Sequence, residues 1–113
     1  MNVLRHNRTL KFSGIGELGA ANALSFRQDA CAVLDPELET IEIDLSQTSF
    51  VDSSGLGALI SVYKAANQLN NNGGVTLRLL NPLPAVQQVI ELTRLHHLFE
   101  IEQRHEAPVA ASA

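Results

Sequence analysis

Two short segments, TIEIDL (Thr40–Leu45) and VTLRLL (Val75–Leu80), alternate apolar and polar residues almost without a break. A period of two sends successive side chains to opposite faces of a strand. Ile41, Ile43 and Leu45 therefore share one face, with Glu42 and Asp44 on the other. In the second segment Val75, Leu77 and Leu79 oppose Thr76 and Arg78, and Leu10 and Phe12 flank Lys11 in the same way. Stretches of helical period separate these strands, an order that predicts parallel neighbours joined by crossovers. Strands of a doubly wound sheet are buried on both faces and read as continuous apolar runs. Alternation instead predicts one dry face and one wet face, with helices packed mainly on one side.

The intervening segments complete a β(β)αβαβαβ order. Val3–Arg5 is expected to pair with Leu10–Phe12 across a turn at Asn7-Arg8. Ala23, Phe26, Ala30 and Val33 recur at three- and four-residue spacing, predicting a helix over 20–34 that ends before Asp35-Pro36. A second helix carries Leu56, Leu59, Ile60, Tyr63, Ala66 and Leu69, then runs out in NNNGG (Asn70–Gly74), where asparagine and glycine tolerate a left-handed C-cap. A third follows Pro82 and Pro84 with Val86, Val89, Ile90 and Thr93. Leu98–Gln103 is read as a last strand, and HEAPVAASA as a loose tail without apolar periodicity.

The length, 113 residues, suits one domain rather than two. With 4% aromatic residues and no Trp, the core must be built from Leu, Ile, Val and Ala. A net charge of −4 without a basic block argues against nucleic acid or an anionic membrane as partner. No apolar run approaches a membrane span, and MNVLRHNR lacks a signal-peptide core. Cys31, the single cysteine, cannot form an internal disulfide, which fits a reducing cytoplasm; it is read as a small packed hydrophobe.

Three chemical motifs are weak. GIGELG (Gly14–Gly19) matches the dinucleotide-binding G-x-G-x-x-G, but the strand before it alternates and no chain remains for a substrate domain. It is read as a flexible strand-to-helix connection. His6, His96, His97 and His105 show no zinc spacing, so neither metal nor cofactor is expected. Neither serine of the DSSG run has the glycine two residues upstream that a hydrolase nucleophile motif requires. No catalytic residue is assigned.

FVDSSGLGAL (Phe50–Leu59) carries the most information. Asp and Ser are good helix N-caps, since their oxygens accept from the orphan N–H groups of a first turn. One such residue suffices, and here three stand in a row. Gly55 and Gly57 then follow, each costing about 1 kcal/mol against Ala in a helix interior. They leave room beside the serines for a docking protein or a modifying enzyme.

Set among its neighbours, this stretch resembles the STAS domain of bacterial anti-sigma factor antagonists. The likeness is close over Ile41–Ile101: an apolar strand, D-S-S-G-L-G, a helix with a Y-K segment, a G-G turn, a strand, and a helix leading to L-F-x-I. It implies a small α/β STAS fold with a mixed, mostly parallel sheet of four to five strands at 1–103, and a tail at 104–113. It also implies partner switching. Ser53 would accept phosphate from an anti-sigma factor that is a GHKL-type serine kinase, and a PP2C-type phosphatase would remove it. Asp52 would shape the acceptor site and Ser54 would serve as a cap. Gly55 and Leu56 would lie with them in the docking surface. Departures from the family pattern are Gly19 after G-E-L, Arg94 where many members have glycine, and the reduced C-terminal helix. Family members also serve in secretion, motility and lipid-transport assemblies.

Overall fold

The computed structural model describes residues 1–70 and 73–104. Its elements are β1 (Asn2–His6), β2 (Thr9–Ser13), β3 (Glu17–Leu18), α1 (Ala23–Cys31), β4 (Thr40–Asp44), β5 (Phe50–Val51), α2 (Ser53–Leu69), β6 (Thr76–Leu80), α3 (Pro84–Leu92), a 3-10 turn (Leu95–His97) and β7 (Glu100–Glu102). Five strands form one sheet in the order β1-β2-β4-β6-β7, with β1 antiparallel and the others parallel. From β2 onward each crossover steps to the next strand in the same direction. Right-handed connections then place α1, α2 and α3 on one face.

Register explains why that face is dry. Leu10, Ile41 and Leu77 lie side by side, as do Phe12, Ile43 and Leu79. All six are buried in one cluster with Phe26 and Ala30 of α1, Leu59 and Val62 of α2, and Ile90 of α3. On the opposite face Lys11, Glu42, Arg78 and Glu100 occupy four adjacent strands with charges alternating in sign. Arg78 donates to Glu42 at 2.9 Å and to Glu100 at 3.0 Å. Opposed charges across strands each contribute about 0.2–1 kcal/mol.

Several boundaries differ from the sequence reading. The first helix spans Ala23–Cys31 rather than 20–34, because Asn22 folds back on the preceding turn, its Oδ1 accepting from the Gly19 N–H at 2.8 Å. Val33 lies beyond the helix and is exposed, while Ala23, Phe26 and Ala30 point into the core as expected. The last strand begins at Glu100, since Leu95–His97 close a 3-10 turn first. Arg94, standing where the family often has glycine, adopts φ 61° after α3. The second helix ends at Leu69 with Asn70 extended (φ −83°, ψ 122°) rather than in the left-handed C-cap expected, and Gly73 and Gly74, beyond the cap, take positive φ. Arg104, assigned to the tail, is anchored: its N–H donates to Asn81 Oδ1, and its guanidinium to Glu42 at 3.0 Å and Glu102 at 2.7 Å. The rest of the expected tail, 105–113, lies outside the described residues.

Candidate functional site

The DSSG run lies where β5 ends and α2 begins. Asp52 is the last extended residue (φ −114°, ψ −172°), so its carboxylate reaches over the first turn and accepts from the Gly55 N–H at 3.0 Å. Its second oxygen accepts from the Ala20 N–H, also at 3.0 Å, in the loop before α1. Its own N–H donates to the Leu18 carbonyl at 3.2 Å. One residue thereby ties α2 to β3 and to the loop that follows it. The Gly55 N–H does most to hold the Asp52 carboxyl below its usual range; partial desolvation opposes this and the Ala20 N–H adds to it.

Asp52, not Ser54, is therefore the N-cap, and Ser54 already sits inside the helix. Ser53 and Ser54 are both exposed. Among the described residues neither hydroxyl has a hydrogen-bond partner. Two free hydroxyls at the start of a capped helix are open to an incoming group.

Gly55 and Leu56, expected in the docking surface, face inward. Leu56 is 6% exposed. A Cβ on Gly55 would stand 1.9 Å from the Leu18 carbonyl oxygen, so Gly55 is required for close approach of α2 to β3. Gly57 is the exposed one of the pair, and a Cβ there meets nothing within 4 Å.

GIGELG acquires a structural reason. Glu17 and Leu18 pair in parallel with Phe50 and Val51, forming a second, two-stranded sheet beside the serines. A Cβ on Gly19 would come within 2.8 Å of the Phe50 ring and 3.1 Å of Asp52 Oδ2. α1 starts only at Ala23, so this run does not open directly into a helix as a dinucleotide turn does.

Two depressions flank the run. A groove of about 310 Å³ between the first two helices is lined by Leu24 and Arg27 on one side and Ser54, Gly57 and Ser61 on the other. A hollow of about 220 Å³ lies over Gly19, Ala20, Phe50 and Asp52. Phe50 is 49% exposed and Leu24 58%. Away from this region, the His96 and His97 rings lie 4.1 Å apart. No cluster among the described residues is placed to hold a metal ion. Cys31 is half-buried against the core. No helix among the described residues is long and apolar enough to cross a membrane.

A capped α2 on a mixed sheet with helices on one face is the arrangement of a known family, and the STAS domain profile matches residues 1–107. The chain belongs to the STAS domain family. Its STAS fold resembles that of an anti-sigma factor antagonist from Mycobacterium paratuberculosis, with a TM-score of 0.76, 26% identity, and coverage of 97% of this chain and 90% of that one. The Bacillus cell fate determinant SpoIIAA, solved in its phosphorylated form, superposes with a TM-score of 0.66 at 21% identity, over 99% of this chain and 98% of that one. A STAS-like portion of the murine solute carrier 26 family member A9 anion transporter matches 92% of this chain but 17% of the transporter, with a TM-score of 0.65 at 24% identity.

The structure brings Asp52, Ser53 and Ser54 together at the start of α2, and sets around them Phe50, Leu24, Arg27 and the Ala20 N–H, which the sequence did not single out. The segment ELG hinted at the β3 contact, because a glycine directly after a short apolar step often marks close backbone approach. Leu24 and Arg27 left no such signal: only the packing of α1 on α2 makes them neighbours of Ser54.

Proposed function

We propose that this STAS domain is an anti-sigma factor antagonist, without catalytic activity of its own, that switches partners according to phosphorylation of Ser53. The observation that carries the reading is the free Ser53 hydroxyl at a helix start whose capping is already done by Asp52. Modification there leaves the cap intact. An anti-sigma factor kinase of the GHKL type would supply ATP and the base. The Ser53 Oγ attacks the γ-phosphorus, the bond to ADP breaks, and the hydroxyl proton passes to the kinase. A PP2C-type phosphatase would reset the serine by hydrolysis.

The physical consequence falls on the surface. A phosphoserine adds about 1.5–2 negative charges and is tolerated at the positive end of the α2 dipole. A partner docked over Ser53, Ser54 and Gly57 instead meets bulk and charge beside the Asp52 carboxylate. A loss of about 3–4 kcal/mol lowers affinity by more than a hundredfold, which is enough for a switch.

Incubation with the cognate kinase and ATP, read by mass spectrometry, places one phosphate on Ser53; equal labelling of Ser53→Ala would remove the assignment. Ser53→Asp loses the anti-sigma partner while its circular dichroism stays native. Retained binding by that variant would sink the competition mechanism.

The likeness to a transporter's STAS-like portion supports a second reading, a binding subunit of another assembly such as a lipid-transport or secretion-control complex. Neighbouring genes separate the two: a GHKL kinase and PP2C phosphatase favour the switch, transporter genes the alternative.

A further inference from the structure

The two ends of the main sheet are unlike. β7 is three residues long and carries Glu100 and Glu102, which bond to Arg78 and Arg104. Antiparallel pairing of β7 with its own copy about Ile101 would set Glu100 against Glu102. Like charges directly opposed destabilise such a pair. β1 is five residues long and every one is exposed. It has no proline, no bulge and no lysine, the usual guards of an open edge. Its one arginine, Arg5, is turned to the helix side and paired with Asp35.

The hydrogen-bonding parity of β1 follows from its neighbours. The Thr40 N–H donates to the Arg8 carbonyl at 3.2 Å, so Arg8, Leu10 and Phe12 direct their backbone groups toward β4. Thr9, Lys11 and Ser13 then serve β1, where they face His6, Leu4 and Asn2. The backbone N–H and C=O groups of Val3 and Arg5 are left pointing out of the sheet.

We infer that β1 pairs with the β1 of a second copy of this chain, antiparallel, about a two-fold axis through Leu4. Three registers satisfy the parity. One opposes Arg5 to Arg5 and is repelled. One opposes Val3 to Val3 and leaves Arg5 facing Met1. The third sets Val3 against the partner's Arg5 twice over, using all four outward residues of the two strands. It brings Leu4 onto the partner's Leu4 at the non-hydrogen-bonded position, where side chains are closest. Leu4 is 66% exposed on the open face, and this register covers it. Such a pairing is isologous, so it closes at two copies and joins two five-stranded sheets into one. No residue of β1 belongs to the serine site, and the inference stands apart from the proposed function.

Sedimentation of the full chain from micromolar to millimolar concentration tests it. The expected result is a reversible monomer–dimer equilibrium, with a dissociation constant raised at least about tenfold in Leu4→Lys. That substitution is on the surface and leaves circular dichroism and Tm unchanged. In a Cys31→Ala background, Leu4→Cys oxidised with glutathione disulfide forms a covalent dimer, because cross-strand Cα atoms at this position fall within disulfide reach. A monomer at millimolar concentration overturns the inference. So does a dimer that Leu4→Lys leaves untouched, or open-ended growth, which would mean pairing of β1 with β7 of the next copy.

Discussion

Asp52 and Gly55 show how few atoms hold the serines in place. The Asp52 carboxylate reaches two N–H groups on separate elements, and Gly55 lets the Leu18 carbonyl come close enough to share the junction. Gly55→Ala forces a methyl group into a backbone oxygen that cannot swing aside, and is expected to cost about 2–4 kcal/mol in urea unfolding. Gly57→Ala, in the same helix with open space around it, is expected to stabilise by about 0.5–1 kcal/mol through helix propensity and a less flexible unfolded chain. Equal effects of the two substitutions would refute this division of roles. At this scale the run DSSG was legible as a helix start. Which oxygen caps was not, because three adjacent residues offer suitable oxygens and only the backbone angle of Asp52 selects one.

Among the elements, α2 and the strands of the main sheet were readable from their periods, while β3 and β5 were not. Each is two residues long, too short for any alternation to register. Their pairing nevertheless sets the position of Asp52. The end of α3 follows a local rule broken by one residue. Arg94 occupies the left-handed position after the C-cap that glycine adopts without steric cost. Left-handed backbone costs an L-residue about 1–2 kcal/mol, and glycine gives part of that back in unfolded-state entropy. Arg94→Gly is therefore expected to stabilise by about 0.5–1 kcal/mol, seen as a raised Tm. A lowered Tm would mean that the arginine side chain contributes more than its backbone costs.

The whole molecule is a half-wet sheet, and its exposed face is held by charge. The Glu42 side chain is only 11% exposed and receives Arg78 and Arg104. Burial alone would raise the pKa of Glu42, but hydrogen bonds from Arg104 and then Arg78 outweigh it and hold the carboxyl below its usual 4.5. A carboxyl depressed on folding contributes stability at pH above its unfolded value, and that contribution is lost as pH falls through the folded value. Stability measured in urea is thus expected to decline below about pH 4.5, with Glu42 among the contributors. Glu42→Gln should lower stability at pH 7 by about 2 kcal/mol and flatten the acid slope; an unchanged slope would assign the acid sensitivity to other carboxylates, such as Asp35 and Asp52, both also depressed.

Period and composition were enough to place the strands of the main sheet and the cores of the helices, to leave one sheet face wet, and to single out DSSG. Those features depend on whether each residue meets water or a neighbour one turn or one strand step away. That preference is written locally, in the spacing of apolar side chains. The Asp52–Ala20 bond and the Leu18–Gly55 contact join residues more than thirty positions apart, and the groove beside Ser54 joins two separate helices. Their geometry depends on how the crossovers close over the sheet. The tertiary structure alone therefore decided that the serine hydroxyls are left without a structural partner.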